Sequence, residues 1–156
     1  MSYYFAYGSN MNPARMADRG LEVVEAMPGR LGDMALRFNK RSRRDPRWAC
    51  ANIAWCPGDA VEGVVYRLAD EQQIFRMDPF EGAPFFYSRE RFPVALPNGT
   101  QVHAWTYVAN RAHIDDSIRP LRWYLEHLLA GREYLSPSYF SWLEATACLD
   151  EDGGWG

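Results

Sequence analysis

Cysteine is scarce in this 156-residue chain: Cys50, Cys56 and Cys148 are odd in number and form no C-x-x-C pair. That argues against a disulfide framework and for reduced thiols in strands or core. His103, His113 and His127 lie far apart, without the close spacing of a metal site, so no metal is expected. No window approaches the roughly 18 apolar residues of a membrane span, and the start MSYYFAYGS lacks the basic-then-apolar plan of a secretory leader. The cytoplasm is therefore the expected address, with no membrane partner. A basic excess is also missing: the formal net charge is −3, whereas a dedicated nucleic-acid binder normally matches phosphate with surplus Lys and Arg. Finally, neither Ser9, Ser138 nor any cysteine has a recognisable histidine partner, which argues against nucleophilic catalysis.

What is there is an ordinary globular composition, 47% apolar and 24% charged, with a high 15% of aromatics. Domains commonly run to ~100–150 residues, so residues 1–150 are read as one domain and residues 151–156 as a flexible tail. Residues 2–7 are rich in aromatics and stop at Gly8, the pattern of a strand entering a turn. Asn12-Pro13 then supplies a cap and a first-turn proline for a short helix, residues 13–18, that stops at Gly20.

Residues 34–38 and 49–55 read as strands, and residues 60–68 as a third, entered through a Pro57-Gly58-Asp59 turn. Residues 69–77 suit a helix that Asp78-Pro79 ends, because the proline ring disfavours helical geometry in the residue before it. Residues 86–96 and 101–109 flank Pro97-Asn98-Gly99 as a β-hairpin. Beyond them, Leu121, Tyr124, Leu125, Leu128 and Leu129 recur at helical spacing, and residues 137–147 make a second helix. Strands first and helices last give an α+β fold, with short helices, two C-terminal helices and a small mixed sheet curled towards a barrel.

Two stretches carry candidate chemistry. In YGSNM, residues 7–11, a turn running into a helix start points backbone N–H groups one way, an arrangement that holds carboxylates or phosphates. The same letters also spell an ordinary turn with an ordinary cap. In MDPFEGAPFFYSRERF, Glu81 sits just past a helix end among Phe80, Phe85 and Phe86. Desolvation by those rings would raise its pKa and suit it to proton transfer; an exposed loop glutamate is the plainer alternative. Asp78 invites a paired-carboxylate reading, although Asp before Pro is common turn chemistry. The basic run KRSRRDPRW, Lys40 to Trp48, reads as a solvated loop between strands, with nucleic-acid binding through Lys40 to Arg47 as its alternative.

Taken in order, YGSNM, ANIAWCPGDAVEGVVYRL, MDPFEG with FYSRERFPV, VHAWTYVA and PLRWYLEHLLAGREYLSPSYFSWL resemble the gamma-glutamylcyclotransferase-like family across most of the chain. The resemblance implies a mixed α+β fold around a barrel-like sheet, no cofactor, and cyclisation of a gamma-glutamyl group to 5-oxoproline with release of an amine or amino acid. It makes Tyr7, Gly8, Ser9, Asn10 and Met11 the substrate-binding loop, Glu81 the catalytic glutamate and Tyr87 an aromatic group of the pocket. The glutathione-specific branch shows Leu where this chain has Asn10, which leans the reading towards gamma-glutamyl amino acids, amines or related amides. A non-catalytic binding module on the same fold is the alternative. Loops after Gly32 and along residues 41–48 are expected to wall the leaving group; nothing in the sequence speaks to oligomeric state.

Overall fold

A computed structural model describes residues 1–150 of the chain; the expected tail, residues 151–156, lies outside the described residues. Five strands close into a barrel in the order β1-β3-β2-β4-β5: β1 Ser2–Ala6, β2 Val23–Arg41, β3 Ala49–Leu68, β4 Tyr87–Ala95 and β5 Gln101–Ala109. All ladders are antiparallel except the one that closes the barrel, where β1 runs parallel to β5 through Tyr4 and Trp105. Four short helices surround the sheet: α1 Pro13–Asp18, α2 Gln73–Glu81, α3 Arg122–Leu129 and α4 Pro137–Glu144. This is the expected α+β class with its barrel-like sheet.

Local chemistry explains the ends that matter. Asn12 caps α1, its side chain accepting from the Ala14 N–H, with Pro13 in the first turn. Ser136 does the same for α4, which also opens on a proline. The β4–β5 turn closes through the N–H of Gly99 on the Leu96 carbonyl and that of Leu96 on Thr100, with Gly99 at φ 85°. The interior between sheet and helices is filled by Phe5, Ile53, Val64, Val65, Met77, Leu125 and Leu128, all essentially inaccessible. At the end of β1 the packing leaves no room for a side chain: a Cβ on Gly63 would lie 2.3 Å from the Ala6 carbonyl oxygen.

Two expectations are corrected. The three short strands of residues 34–68 are instead two long ones, and β2 begins eleven residues before the first expected strand, at Val23 rather than Met34. Pro57-Gly58-Asp59 does take turn geometry, with Gly58 at φ 85°, but it does not divide the strand. Gly32 pairs with Ala60 and Met34 with Trp55, so the intervening residues of β3 bulge opposite Asp33, whose carboxylate accepts the Gly58 N–H at 3.0 Å. A bulge of this kind bends a strand instead of ending it, which a closing barrel requires.

The second correction concerns α2. It runs through Pro79 and ends on Glu81, whereas the sequence reading stops it at Asp78. The Ala83 N–H bonds the Asp78 carbonyl and the Gly82 N–H that of Pro79, with Gly82 left-handed at φ 65°. These are the two bonds of a Schellman closure, so glycine rather than proline terminates this helix. Glu81 is thus carried on a packed helix end, not on a loop.

Candidate active site

At one end of the barrel the opening turn, the last turn of α2, the starts of β3 and β4, and α3 converge on a small pocket. It is lined by Tyr7, Gly8, Ser9, Asn10, Glu81 and Tyr87, together with Tyr4, Ala51, Tyr107 and Tyr124. Six of the seven residues singled out in the sequence therefore share one wall. Met11 does not: it is fully buried, its N–H closes the turn on the Gly8 carbonyl, and its Cβ would be 2.9 Å from one on Gly131.

Ser9–Met11 form a single 3₁₀ turn between β1 and α1. The N–H groups of Ser9 and Asn10 have no hydrogen-bond partner among the described residues, and both residues line the pocket. Gly8 is needed for close approach, since a Cβ there would meet that of Ala51 at 3.1 Å and the Tyr124 hydroxyl at 3.4 Å.

The side chain of Asn10 takes a part that the sequence did not reveal. It is buried, and its Nδ2 donates to Glu81 Oε1 at 3.0 Å and to the Tyr4 hydroxyl at 2.9 Å. Its Oδ1 accepts from Arg19 at 3.0 Å, and its carbonyl accepts from the Tyr66 hydroxyl at 2.6 Å. Asn10 thereby ties the turn to the carboxyl that faces it.

Glu81 retains 18% side-chain exposure, and Arg19 stands 3.7 Å from its Oε1. Burial pushes its pKa above the ordinary carboxylate value, against the opposing pull of Arg19, Lys40, the Asn10 hydrogen bond and Arg15. Its place at the C-terminal end of α2 acts in the same direction as burial, because the negative end of a helix dipole disfavours a second negative charge. The result is a carboxyl that is both desolvated and held in a fixed orientation.

The tyrosines around it are anchored. Tyr7 donates to the Tyr107 carbonyl and Tyr87 to the Ala51 carbonyl at 2.8 Å, while Tyr124 accepts from the Ala51 N–H at 2.9 Å. Burial raises the pKa of Tyr7 and Tyr87 well above that of free tyrosine, so both are neutral donors. Asp78 is occupied by Arg89 at 2.9 Å and the Tyr107 hydroxyl at 2.7 Å and lines neither this pocket nor its neighbour, so the two carboxylates do not work as a pair.

Of the basic run, Lys40 is buried and Arg47 folds onto Asp45 at 2.7 Å. Lys40 and Arg43 join Arg15 and Arg19 in walling a second chamber beside Glu81. Ser42, Arg43 and Arg44 of the segment after Arg41 border this chamber; Gly32 does not. Arg15 and Arg19, four apart on and just after α1, were the legible signal that the sequence reading passed over. Among the described residues no group of His, Cys, Asp and Glu could hold a metal ion, and no helix is long and apolar enough to cross a membrane.

Fold and site thus define a small α+β barrel in which a desolvated carboxyl and the opening turn line one pocket. The chain belongs to the gamma-glutamyl cyclotransferase, AIG2-like family, whose model matches residues 4–125. It is 39% identical to a mouse gamma-glutamylcyclotransferase over 82 residues, 51% of this chain and 43% of that protein. It is 30% identical to the human gamma-glutamylcyclotransferase over 109 residues, 67% of this chain and 57% of the relative. The matched stretches therefore cover only about half the length of these curated relatives. A solved gamma-glutamyl cyclotransferase structure superposes with a TM-score of 0.84 at 26% identity, covering 97% of this chain and 91% of the other.

Proposed function

We propose that this protein is a gamma-glutamyl cyclotransferase in which Glu81 moves the proton and the opening turn holds the substrate's α-carboxylate. The observation that carries the reading is the Asn10-held, desolvated carboxyl of Glu81 in one pocket with a turn whose Ser9 and Asn10 N–H groups are unbonded among the described residues. Those donors supply the carboxylate's partners, with Tyr7, Gly8 and Tyr87 shaping the wall around the glutamyl chain. Met11 contributes by fixing the turn from beneath.

In this mechanism the Glu81 carboxylate takes a proton from the substrate's α-ammonium. The freed amine attacks the γ-carbonyl, forming the ring C–N bond and a tetrahedral intermediate. Glu81 gives that proton to the departing nitrogen as the original amide C–N bond breaks, then takes the second proton from the ring nitrogen and passes it to the freed amine, releasing 5-oxoproline and an ammonium. The carboxylate ends as it began. A raised pKa serves both steps, because a base and acid of matched strength transfers a proton most effectively near its own pKa. Ring closure is intramolecular, so orientation alone can supply up to ~7–11 kcal/mol of the barrier. The sequence reading supports a cytoplasmic address.

The test is incubation with gamma-glutamyl amino acids, gamma-glutamyl amines and glutathione, following 5-oxoproline by mass spectrometry. Wild type makes product, and Glu81→Gln, which keeps the shape and loses the base, is slower by about 10²–10⁴-fold. Undiminished turnover by the variant refutes the role of Glu81. Binding without product across the panel would make the fold a ligand-binding module.

A further inference from the structure

The pocket at Glu81 adjoins the second chamber, and the two share Ser9, Glu81, Tyr87 and Tyr124 as walls. Whatever is attached to the γ-carbonyl would extend into it. Its lining brings together Arg15, Arg19, Lys40, Arg43 and Arg44, the last of which has a partner of its own, while Glu81 is its sole carboxylate among the described residues.

Two of these cations have groups without partners. Lys40 is only 3% exposed, and its ammonium makes no hydrogen bond or ion pair among the described residues. It lies over the rings of Phe86 and Tyr87, 5.0 and 5.2 Å from their centroids. The Nε of Arg15 is buried and likewise unpartnered. A buried ammonium ordinarily requires a counter-charge, which ring faces replace only in part. The fold goes out of its way to put Lys40 there: the register shift between Phe38 and Lys40 leaves both Asn39 and Lys40 buried, where regular alternation would expose one of them.

Resting on the cyclotransferase reading, we propose that the leaving amine is itself acidic, an amino acid carrying two carboxylates, and that Lys40 is the residue that selects it. The opening turn accounts for the glutamyl carboxylate. A single additional carboxylate would still leave most of the chamber's positive charge unmatched, whereas the two of an acidic amino acid can meet Lys40 and the Arg15 and Arg43 side together. Burial of Lys40 strengthens such a contact by excluding water.

The test compares gamma-glutamyl-glutamate, gamma-glutamyl-alanine and gamma-glutamyl-butylamide on wild type, Lys40→Met, Lys40→Arg and Arg43→Met. Wild type has the highest kcat/KM for the diacid. Lys40→Met compresses the ratio of diacid to butylamide by about 10- to 100-fold, mainly through KM. Lys40→Arg keeps most of the ratio, and Arg43→Met, at an exposed position, reduces it less. A wild-type preference for butylamide, or an equal loss on all three compounds in Lys40→Met, overturns the proposal.

Calorimetric binding of the same intact compounds to Glu81→Gln, with and without Lys40→Met, gives the answer independently of turnover. If no protein makes 5-oxoproline, the cyclotransferase reading fails by itself. Diacid binding that depends on Lys40 then still supports an anionic-amine chamber, and absence of such binding removes it.

Discussion

Glu81→Gln should make this protein more stable at neutral pH while removing its activity. The wild-type carboxyl sits at the C-terminal end of α2 with 18% side-chain exposure, and burial raises its pKa despite three neighbouring cations. The folded state consequently holds the proton more tightly than the unfolded chain does. Wherever the native state binds more protons, stability falls as pH rises. The loss begins near the unfolded value of ~4.3 and ends once pH has passed the raised folded value. Each factor of ten by which folding weakens this acid then costs ~1.4 kcal/mol. For a chain of this size, 1 kcal/mol moves Tm by ~2–4 °C.

Glutamine resembles the protonated acid and can still accept from Asn10 Nδ2, now 3.0 Å from Oε1. Thermal melts of both proteins at about pH 4 and about pH 8 test the argument. The variant's Tm should exceed that of wild type at the higher pH, with the gap closing towards the lower. A variant less stable than wild type at about pH 8, or a gap that widens in acid, would refute the claim that Glu81 is ionised at a cost.

Asn10→Leu removes the donor to Glu81 and the acceptor for Arg19, both of which favour the carboxylate. The acid limb of the kcat/KM profile should move to higher pH, with a rate on that limb lower by about tenfold, the worth of one charge-assisted hydrogen bond; an unmoved limb would show that Asn10 does not tune the base. Gly63→Ala places a Cβ 2.3 Å from the Ala6 carbonyl, a backbone atom that cannot rotate away. Denaturant melts should show destabilisation of about 1–3 kcal/mol, and an unchanged midpoint would mean that β1 and β3 can part there at no cost.

The sequence by itself determined whatever short-range chemistry decides. The Asn12-Pro13 start of α1, the Ser136-Pro137 start of α4 and the Pro97-Asn98-Gly99 reversal each depend on residues within a few positions, and each is found as read. The candidate stretches were legible only through their ordered resemblance to a family, since taken alone YGSNM also spells an ordinary turn and Glu81 an exposed loop glutamate. Tertiary structure decided the rest. Whether Pro57-Gly58-Asp59 ends a strand or bulges it depends on Asp33 across the ladder. Whether Pro79 or Gly82 stops α2 depends on where the chain must turn to pack.

The site is the extreme case. Asn10 meets Glu81 across 71 positions and Tyr7 meets the Tyr107 carbonyl across 100, separations at which propensity and periodicity carry no information. Lys40 illustrates the consequence: in the sequence it opens a basic run that reads as solvated, whereas the bulge before it and the rings of Phe86 and Tyr87 make it a buried cation beside the candidate base. Local residue chemistry determined which groups were available; closure of the barrel determined which of them were deprived of water, because desolvation depends on neighbours far apart in the sequence.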